Sequence, residues 1–274
     1  MSRHERPDAG RAVEQNVEAA VADAAAREQG GPEPVDTAPD RIDPPGAGPF
    51  EAVLFDFSGT LFRFTERDEW FEGVTDDAGE PLHITAQAEI IRRMTAPTGE
   101  PVAFTDEERQ AWEQRDLDPA QHRRAYLAVL RGSGITDPHA EKLYELIRTP
   151  SAWQPYPDTA QVLRELAARG IKVGVVSNIA FDLREVFALY GLDDLVASWS
   201  LSYEVGATKP RARIFRHALD ALDVATDATL MVGDSAEADG GAMALGCAFG
   251  EVEPLPIEQR PDGLVRILTA AAIL

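Results

Sequence analysis

The chain has 274 residues, 44% of them hydrophobic and 27% charged, which is the composition of a globular protein with enough apolar material for one large domain or two small ones. Its formal net charge of -21 argues against non-specific nucleic-acid binding and against anionic membrane surfaces, because like charges repel. With one cysteine, Cys247, no intramolecular disulfide is possible; there is also no apolar run of membrane-spanning length and no secretory signal at the N-terminus, so a cytoplasmic location is expected.

Residues 1–49 are rich in Ala, Asp, Glu, Pro and Gly, and Pro32, Pro34, Pro39, Pro44, Pro45 and Pro49 keep their second half extended. They read as a disordered acidic tail and linker. The pattern then changes. Residues 53–57 form a short β-rich run closed by a glycine turn, which reads as a buried strand. Residues 66–150 read as helical, with apolar residues at helical spacing over 84–94, 106–115, 119–131 and 138–148. Asp118-Pro119 and Asp137-Pro138 look like helix starts, an aspartate cap followed by proline at the first helical position.

Alternation follows. A helix over 158–169 closes at Gly170, a strand covers 171–177, and a helix over 181–190 closes at Gly191. A strand near 196–201, a helix over 212–222, a strand over 228–232 and a helix over 237–245 closed by Gly246 complete the series. Such alternation predicts a Rossmann-like α/β core, a parallel sheet with helices on both faces, whose ligands sit at the carboxyl ends of the strands. Asp158 and Asp182 read as helix caps, Asp193-Asp194 as a solvated turn and His217 as an ordinary helix residue.

The residues that follow the predicted strands carry the chemistry. The first strand ends in Asp56, another in Ser177-Asn178, and the last in Gly233-Asp234-Ser235 with Asp239 beyond, while Lys209 sits in a Gly-Ala-Thr-Lys-Pro loop before a helix. Brought together, three carboxylates call for a cation, and hard oxygen ligands suit Mg²⁺. A lysine beside them offsets charge and holds an anionic group.

This constellation resembles the haloacid dehalogenase-like superfamily from about residue 52 to the end of the chain. Four motifs occur in order: Asp56-Phe57-Ser58-Gly59-Thr60 after a strand, Ser177 at a strand end, Lys209-Pro210 before a helix, and Gly233-Asp234-Ser235 through Asp239. The resemblance implies an α/β core over 50–64 and 153–274 with an inserted helical cap over 65–152. It further implies that Asp56 attacks phosphorus to form an aspartyl-phosphate, and that Asp56, the Ser58 carbonyl, Asp234 and Asp239 serve a Mg²⁺ site. Ser177 and Lys209 would hold the transferring phosphoryl group, with Ser58, Thr60 and Asn178 beside it. For Asn178 a plain turn role weighs equally. The implied substrate is a small phosphorylated metabolite.

Ser58 departs from the pattern, because phosphatases of this superfamily carry a second aspartate there as general acid and base. Serine cannot do that work near neutral pH, and the help lost is typically worth ~10²–10⁴ in rate. One reading is a phosphatase or phosphotransferase with altered proton handling, either because its substrate, such as an acyl phosphate or a phosphoanhydride, needs little protonation, or because a cap residue stands in; His83, His122, Asp68 and Glu69 are the candidates. A catalytically idle relative that binds a phosphorylated ligand or a protein is the alternative. A C–X bond hydrolase is disfavoured, since the Gly233-Asp234 metal motif is intact, Phe215 stands where 2-haloacid dehalogenases have tyrosine, and residues 62–141 contain no lysine to form a Schiff base.

Overall fold

The computed structural model describes residues 42–43, 49–65, 68–76, 78–95, 97 and 99–274. Residues 40–274 form one compact unit. The expected tail, 1–49, lies for the most part outside the described residues. Within it, however, Ile42–Asp43 is a strand, β1, whose residues pair antiparallel with Gly250 and Phe249. The chain therefore joins the sheet earlier than its composition indicated.

The other strands in chain order are β2 (Ala52–Phe55), β3 (Phe62–Phe64), β4 (Trp153–Pro155), β5 (Lys172–Ser177), β6 (Ser198–Leu201), β7 (Thr229–Gly233) and β8 (Ala248–Glu251). The main sheet has the order β1-β8-β7-β2-β5-β6 and is parallel except for β1. Strand β2 lies at its heart, Val53 opposite both Val173 and Leu230. Burial on both faces explains why β2 is apolar throughout rather than alternating. Ala52 and Leu54 face Ile214, Phe215 and Ala218 of the helix Ala212–Leu222, whereas Val53 and Phe55 pack with Val162, Leu163 and Leu166 on the opposite face. Helices thus cover both faces, as the alternation predicted.

The helices are α1 (Ile84–Thr95), α2 (Asp106–Gln114), α3 (Pro119–Gly132), α4 (Asp137–Arg148), α5 (Thr159–Ala168), α6 (Arg184–Leu189), α7 (Ser202–Val205), α8 (Ala212–Leu222) and α9 (Gly263–Ala270). The Asp118 start is as read: its carboxylate accepts from the amides of Ala120 and Gln121 at 2.7 and 3.2 Å, and Pro119 opens α3. Asp137 is not a cap. It is the first residue of α4, behind Thr136, and pairs instead with Arg131 at 2.6 Å. Asp158 does cap a helix, but a distant one. Its Oδ2 accepts from the amides of Leu264 and Val265 at 2.7 and 3.1 Å, tying the start of α5 to the start of α9. Residues 239–245, read as an α-helix, form a tighter 3-10 helix closed by Gly246 in the left-handed region.

Helices α1–α4 lie in sequence between β3 and β4, which pair antiparallel, Phe62 opposite Pro155 and Phe64 opposite Trp153. Both crossings are packed by aromatic rings: Phe57 lies 4.7 Å from Trp153 and 5.2 Å from Phe62 between ring centroids. Among the described residues no helix is long and apolar enough to cross a membrane.

His122, weighed above as a stand-in acid, is buried on α3 between Tyr126 and Tyr144, its Nδ1 3.0 Å from the Tyr144 hydroxyl. Burial, with the charges of Arg115 and Arg148, pushes its pKa down to about 3. It is therefore a neutral core residue and no proton donor. The unfolded chain protonates this histidine near pH 6.5 and the folded chain does not, so protons favour the unfolded state between those values. The difference in unfolding free energy between wild type and His122→Phe should consequently slope with pH by about 1.4 kcal/mol per unit from pH 6.5 down to 4, wild type losing more. Denaturant melts across that range check this, and parallel pH curves would refute it.

Candidate active site

Strands β2, β5 and β7 are neighbours, so the residues after their carboxyl ends meet. Asp56 follows β2, donates its amide to the Val232 carbonyl at 2.9 Å, and is only 6% exposed. Lys209, equally buried, places Nζ 2.5 Å from Asp56 Oδ1 and 2.6 Å from Asp239 Oδ1. Asp239 Oδ2 accepts from the Ser235 amide at 3.0 Å. Ligand oxygens of Asp56, Asp234 and Asp239 all lie within 4.8 Å of one another, a group able to hold a metal ion.

One ammonium does not balance three carboxylates. Burial, reinforced by Asp239 and Asp234, lifts the Asp56 carboxyl to about 7 despite Lys209, and burial with Asp239 lifts Asp234 to about 6. For Lys209, burial works against the charge, but Asp239 and Asp56 outweigh it and keep the ammonium protonated. Excess negative charge carried by oxygen donors alone suits a hard divalent cation.

Two glycines are needed for the carboxylates to come this close. A Cβ on Gly59 would lie 2.2 Å from Asp234 Oδ2, at a residue already held at φ +82°, and one on Gly233 would lie 2.1 Å from Asp239 Oδ2.

Other predicted residues have different placements. Ser177 is buried at the end of β5, opposite Leu201. Asn178 uses its side chain on the main chain of Lys209, accepting from its amide at 2.7 Å and donating to its carbonyl at 3.1 Å. Thr60 is fully buried, and its hydroxyl has no hydrogen-bond partner among the described residues. Ser58 is partly exposed and, with Gly59 and Asp234, lines a cleft of about 520 Å³ whose walls include Arg63 and Arg92. Arg63 also donates to the Pro254 carbonyl at 2.6 Å, and Arg92 pairs with Glu89 at 2.8 Å. His83 is exposed and bonded to Thr85 at 2.8 Å; the side chains of Asp68 and Glu69 lie outside the described residues.

Arg260 escaped the sequence reading. Its buried guanidinium lies 3.1 Å from the Tyr156 ring centroid, donates to the Gly59 carbonyl at 2.6 Å and to the Thr60 carbonyl, and reaches the Glu253 carbonyl at 3.3 Å. It braces the turn that follows Asp56. Nothing local signals this, since Gly59 and Thr60 lie about 200 residues away in the chain.

A profile of haloacid dehalogenase-like hydrolases matches residues 50–245. Among curated proteins, the chain is 33% identical over 133 residues to haloacid dehalogenase-like hydrolase domain-containing protein 3 of Bos taurus, covering 48% of this chain and 53% of that one. It is also 33% identical over 118 residues to phosphoserine phosphatase of Thermus thermophilus, covering 42% and 47%. The chain thus spans about half the length of the curated relatives it matches. Among solved structures, L-2-haloacid dehalogenase from Xanthobacter autotrophicus aligns with a TM-score of 0.49 at 24% identity, over 82% of this chain and 84% of that one. With the profile spanning well over half of the chain, this protein belongs to the haloacid dehalogenase-like hydrolase family.

Proposed function

We propose that this hydrolase is a Mg²⁺-dependent phosphatase that acts on a small phosphorylated metabolite through an aspartyl-phosphate on Asp56. The observation that carries the reading is the cluster of Asp56, Asp234 and Asp239 around Lys209 at the carboxyl ends of neighbouring parallel strands. The phosphoserine phosphatase among the relatives supports a phosphomonoester as substrate. A cleft with arginines in its walls favours an anionic one.

Asp56, Asp234 and the Ser58 carbonyl would hold Mg²⁺, which when bound supplies positive charge against the phosphoryl oxygens. Asp239 already has both oxygens engaged, by Lys209 and by the Ser235 amide, and suits a supporting place behind those ligands. In the first step a carboxylate oxygen of Asp56 bonds to phosphorus as the bond to the leaving oxygen breaks. Lys209 draws Asp56 toward its ionised form against the effect of burial, and with the Ser177 hydroxyl it holds the phosphoryl oxygens. Water then attacks phosphorus, the Asp56–phosphorus bond breaks, and phosphate leaves with the carboxylate restored. Asn178 and Arg260 act by position, one on the main chain of Lys209 and the other on the turn after Asp56. The inserted helices α1–α4 are the cap that shapes the leaving-group side.

Release of inorganic phosphate from a panel of phosphomonoesters and acyl phosphates, measured with Mg²⁺, tests the reading. Asp56→Asn keeps the shape without the anionic nucleophile and should lower turnover by more than about 10³-fold. Retention of wild-type turnover by that variant would rule out the covalent route.

Metal binding should also be visible in stability and depend on pH. The raised carboxyl pKa values of Asp56 and Asp234 mean that the metal-free folded state binds these protons more tightly than the unfolded chain does. Their contribution to stability is full below about 3.8 and is lost as pH rises through 6 to 7. Mg²⁺ at a hundredfold excess over Kd should restore about 2.7 kcal/mol. The resulting rise in Tm should be larger at pH 7.5 than at pH 5, where protons compete with the cation. Asp234→Asn should remove the Mg²⁺-dependent rise at both pH values. An equal rise in wild type and variant would place the metal elsewhere.

A further inference from the structure

Ser58 leaves the proposed reaction without a proton donor for the leaving oxygen and without a base for the attacking water. Of the residues considered from sequence, His122 is a neutral core residue and His83 is exposed and bonded to Thr85. A different carboxylate, Asp116, lies close enough to Lys209 to feel its charge.

Asp116 lies in the turn between α2 and α3, and this corner of the inserted helices sits on the loop that follows β5. The Ser202 hydroxyl donates to the Asp116 carbonyl, and the Ser202 hydroxyl oxygen accepts from the Ile179 amide at 2.8 Å. Ile179 is two residues beyond Ser177. A second contact fixes the corner from the other side, the His122 ring lying 5.8 Å from that of Phe181 on the same loop. The turn is thereby pinned over the strand ends that carry Ser177 and, through Asn178, Lys209.

The Asp116 side chain is 21% exposed and sits 3.7 Å from Arg115, whose guanidinium stacks 4.0 Å from the Trp112 ring centroid. Beyond that ion pair, its carboxylate makes no hydrogen bond among the described residues, which leaves acceptor and donor capacity for a ligand. The charged and titratable groups acting on it are Arg115 of its own turn, Lys209 of the core and Tyr126 of α3. Burial raises its carboxyl pKa against the opposing pull of Arg115 and Lys209, the direction required of an acid that must hold a proton closer to neutrality.

Resting on the phosphatase reading above, we propose that Asp116 is the general acid and base of this enzyme, taking the place that Ser58 has vacated. In the first step the Asp116 carboxylic acid gives its proton to the leaving oxygen as the bond from that oxygen to phosphorus breaks and Asp56 bonds to phosphorus. In the second step the Asp116 carboxylate takes a proton from water as the water oxygen bonds to phosphorus, the Asp56–phosphorus bond breaks, and phosphate leaves. The proton returns Asp116 to its starting state, so no co-reactant is required.

The test uses the full chain with saturating Mg²⁺ and two substrates, p-nitrophenyl phosphate and glycerol phosphate, followed by rapid mixing and in the steady state. An activated leaving group needs no proton, so Asp116→Asn should keep a fast first turnover of p-nitrophenyl phosphate, seen as a burst of nitrophenolate. Its later steady state should be slower by about 10²-fold or more, because water then lacks its base. With glycerol phosphate the same variant should lose the first turnover as well. Asp116→Glu, which retains the acid, should keep at least a tenth of wild-type turnover. Adding Ser58→Asp to Asp116→Asn should restore turnover of glycerol phosphate, which mere loss of packing would not allow. Equal loss of burst and steady state on both substrates, or wild-type steady-state rates in Asp116→Asn, would overturn the role of Asp116 while leaving the phosphatase reading intact. Absence of phosphate release by the wild type from both substrates and from an acyl phosphate would overturn the phosphatase reading and the role of Asp116 with it.

Discussion

The Lys209 ammonium, buried between Asp56 and Asp239, is the interaction on which the rest of the site depends. A charge removed from water to this degree is tolerable only with partners and good geometry, and leaving one buried partner alone costs about 3–5 kcal/mol. The requirement joins segments that are far apart in the chain: the end of β2, the loop before α8 and the turn after β7. It also sets the backbone around them. Only glycine fits at 59 and 233, where the carboxylates of Asp234 and Asp239 press against the main chain. The site remains net anionic without a cation, and burial together with that imbalance lifts the carboxyl groups of Asp56 and Asp234.

Around this charged centre, polar side chains are used to hold main chain rather than ligand. Asn178 brackets the backbone of Lys209, Arg260 braces the turn after Asp56, and Asp158 joins the starts of α5 and α9. Each of these groups is buried or partly buried and satisfies backbone donors or acceptors that no ladder reaches.

The inserted helices meet the core in two different ways. Next to the sheet, the paired strands β3 and β4 and the rings of Phe57, Phe62 and Trp153 form an apolar seam. At the α2–α3 corner the contact is polar and small, a hydroxyl of Ser202 shared between Asp116 and Ile179. The seam keeps the insert attached. The corner sets the α2–α3 turn against the loop that follows β5.

Much of this was legible in the amino-acid sequence because it is local. Strand and helix periods, the glycine stops at 170, 191 and 246, the Asp118-Pro119 start and the four motif residues Asp56, Ser177, Lys209 and Asp234 each announce themselves within a few positions. The parallel sheet follows from alternation, and the sheet brings those residues to one edge. What stayed hidden has partners distant in sequence. Asp158 reads as the cap of the helix beside it, yet its carboxylate serves α9; Thr60 sits in a motif, yet its hydroxyl is buried without a partner among the described residues; Arg260 and Asp116 carry no local pattern at all. Strand β1 was missed because pairing with β8 overrides a composition that favours an unstructured tail. Local spacing determines which elements form, whereas the hydrogen-bond and charge partners of a side chain depend on which elements the packed core brings beside it, and that is decided only when the chain has folded.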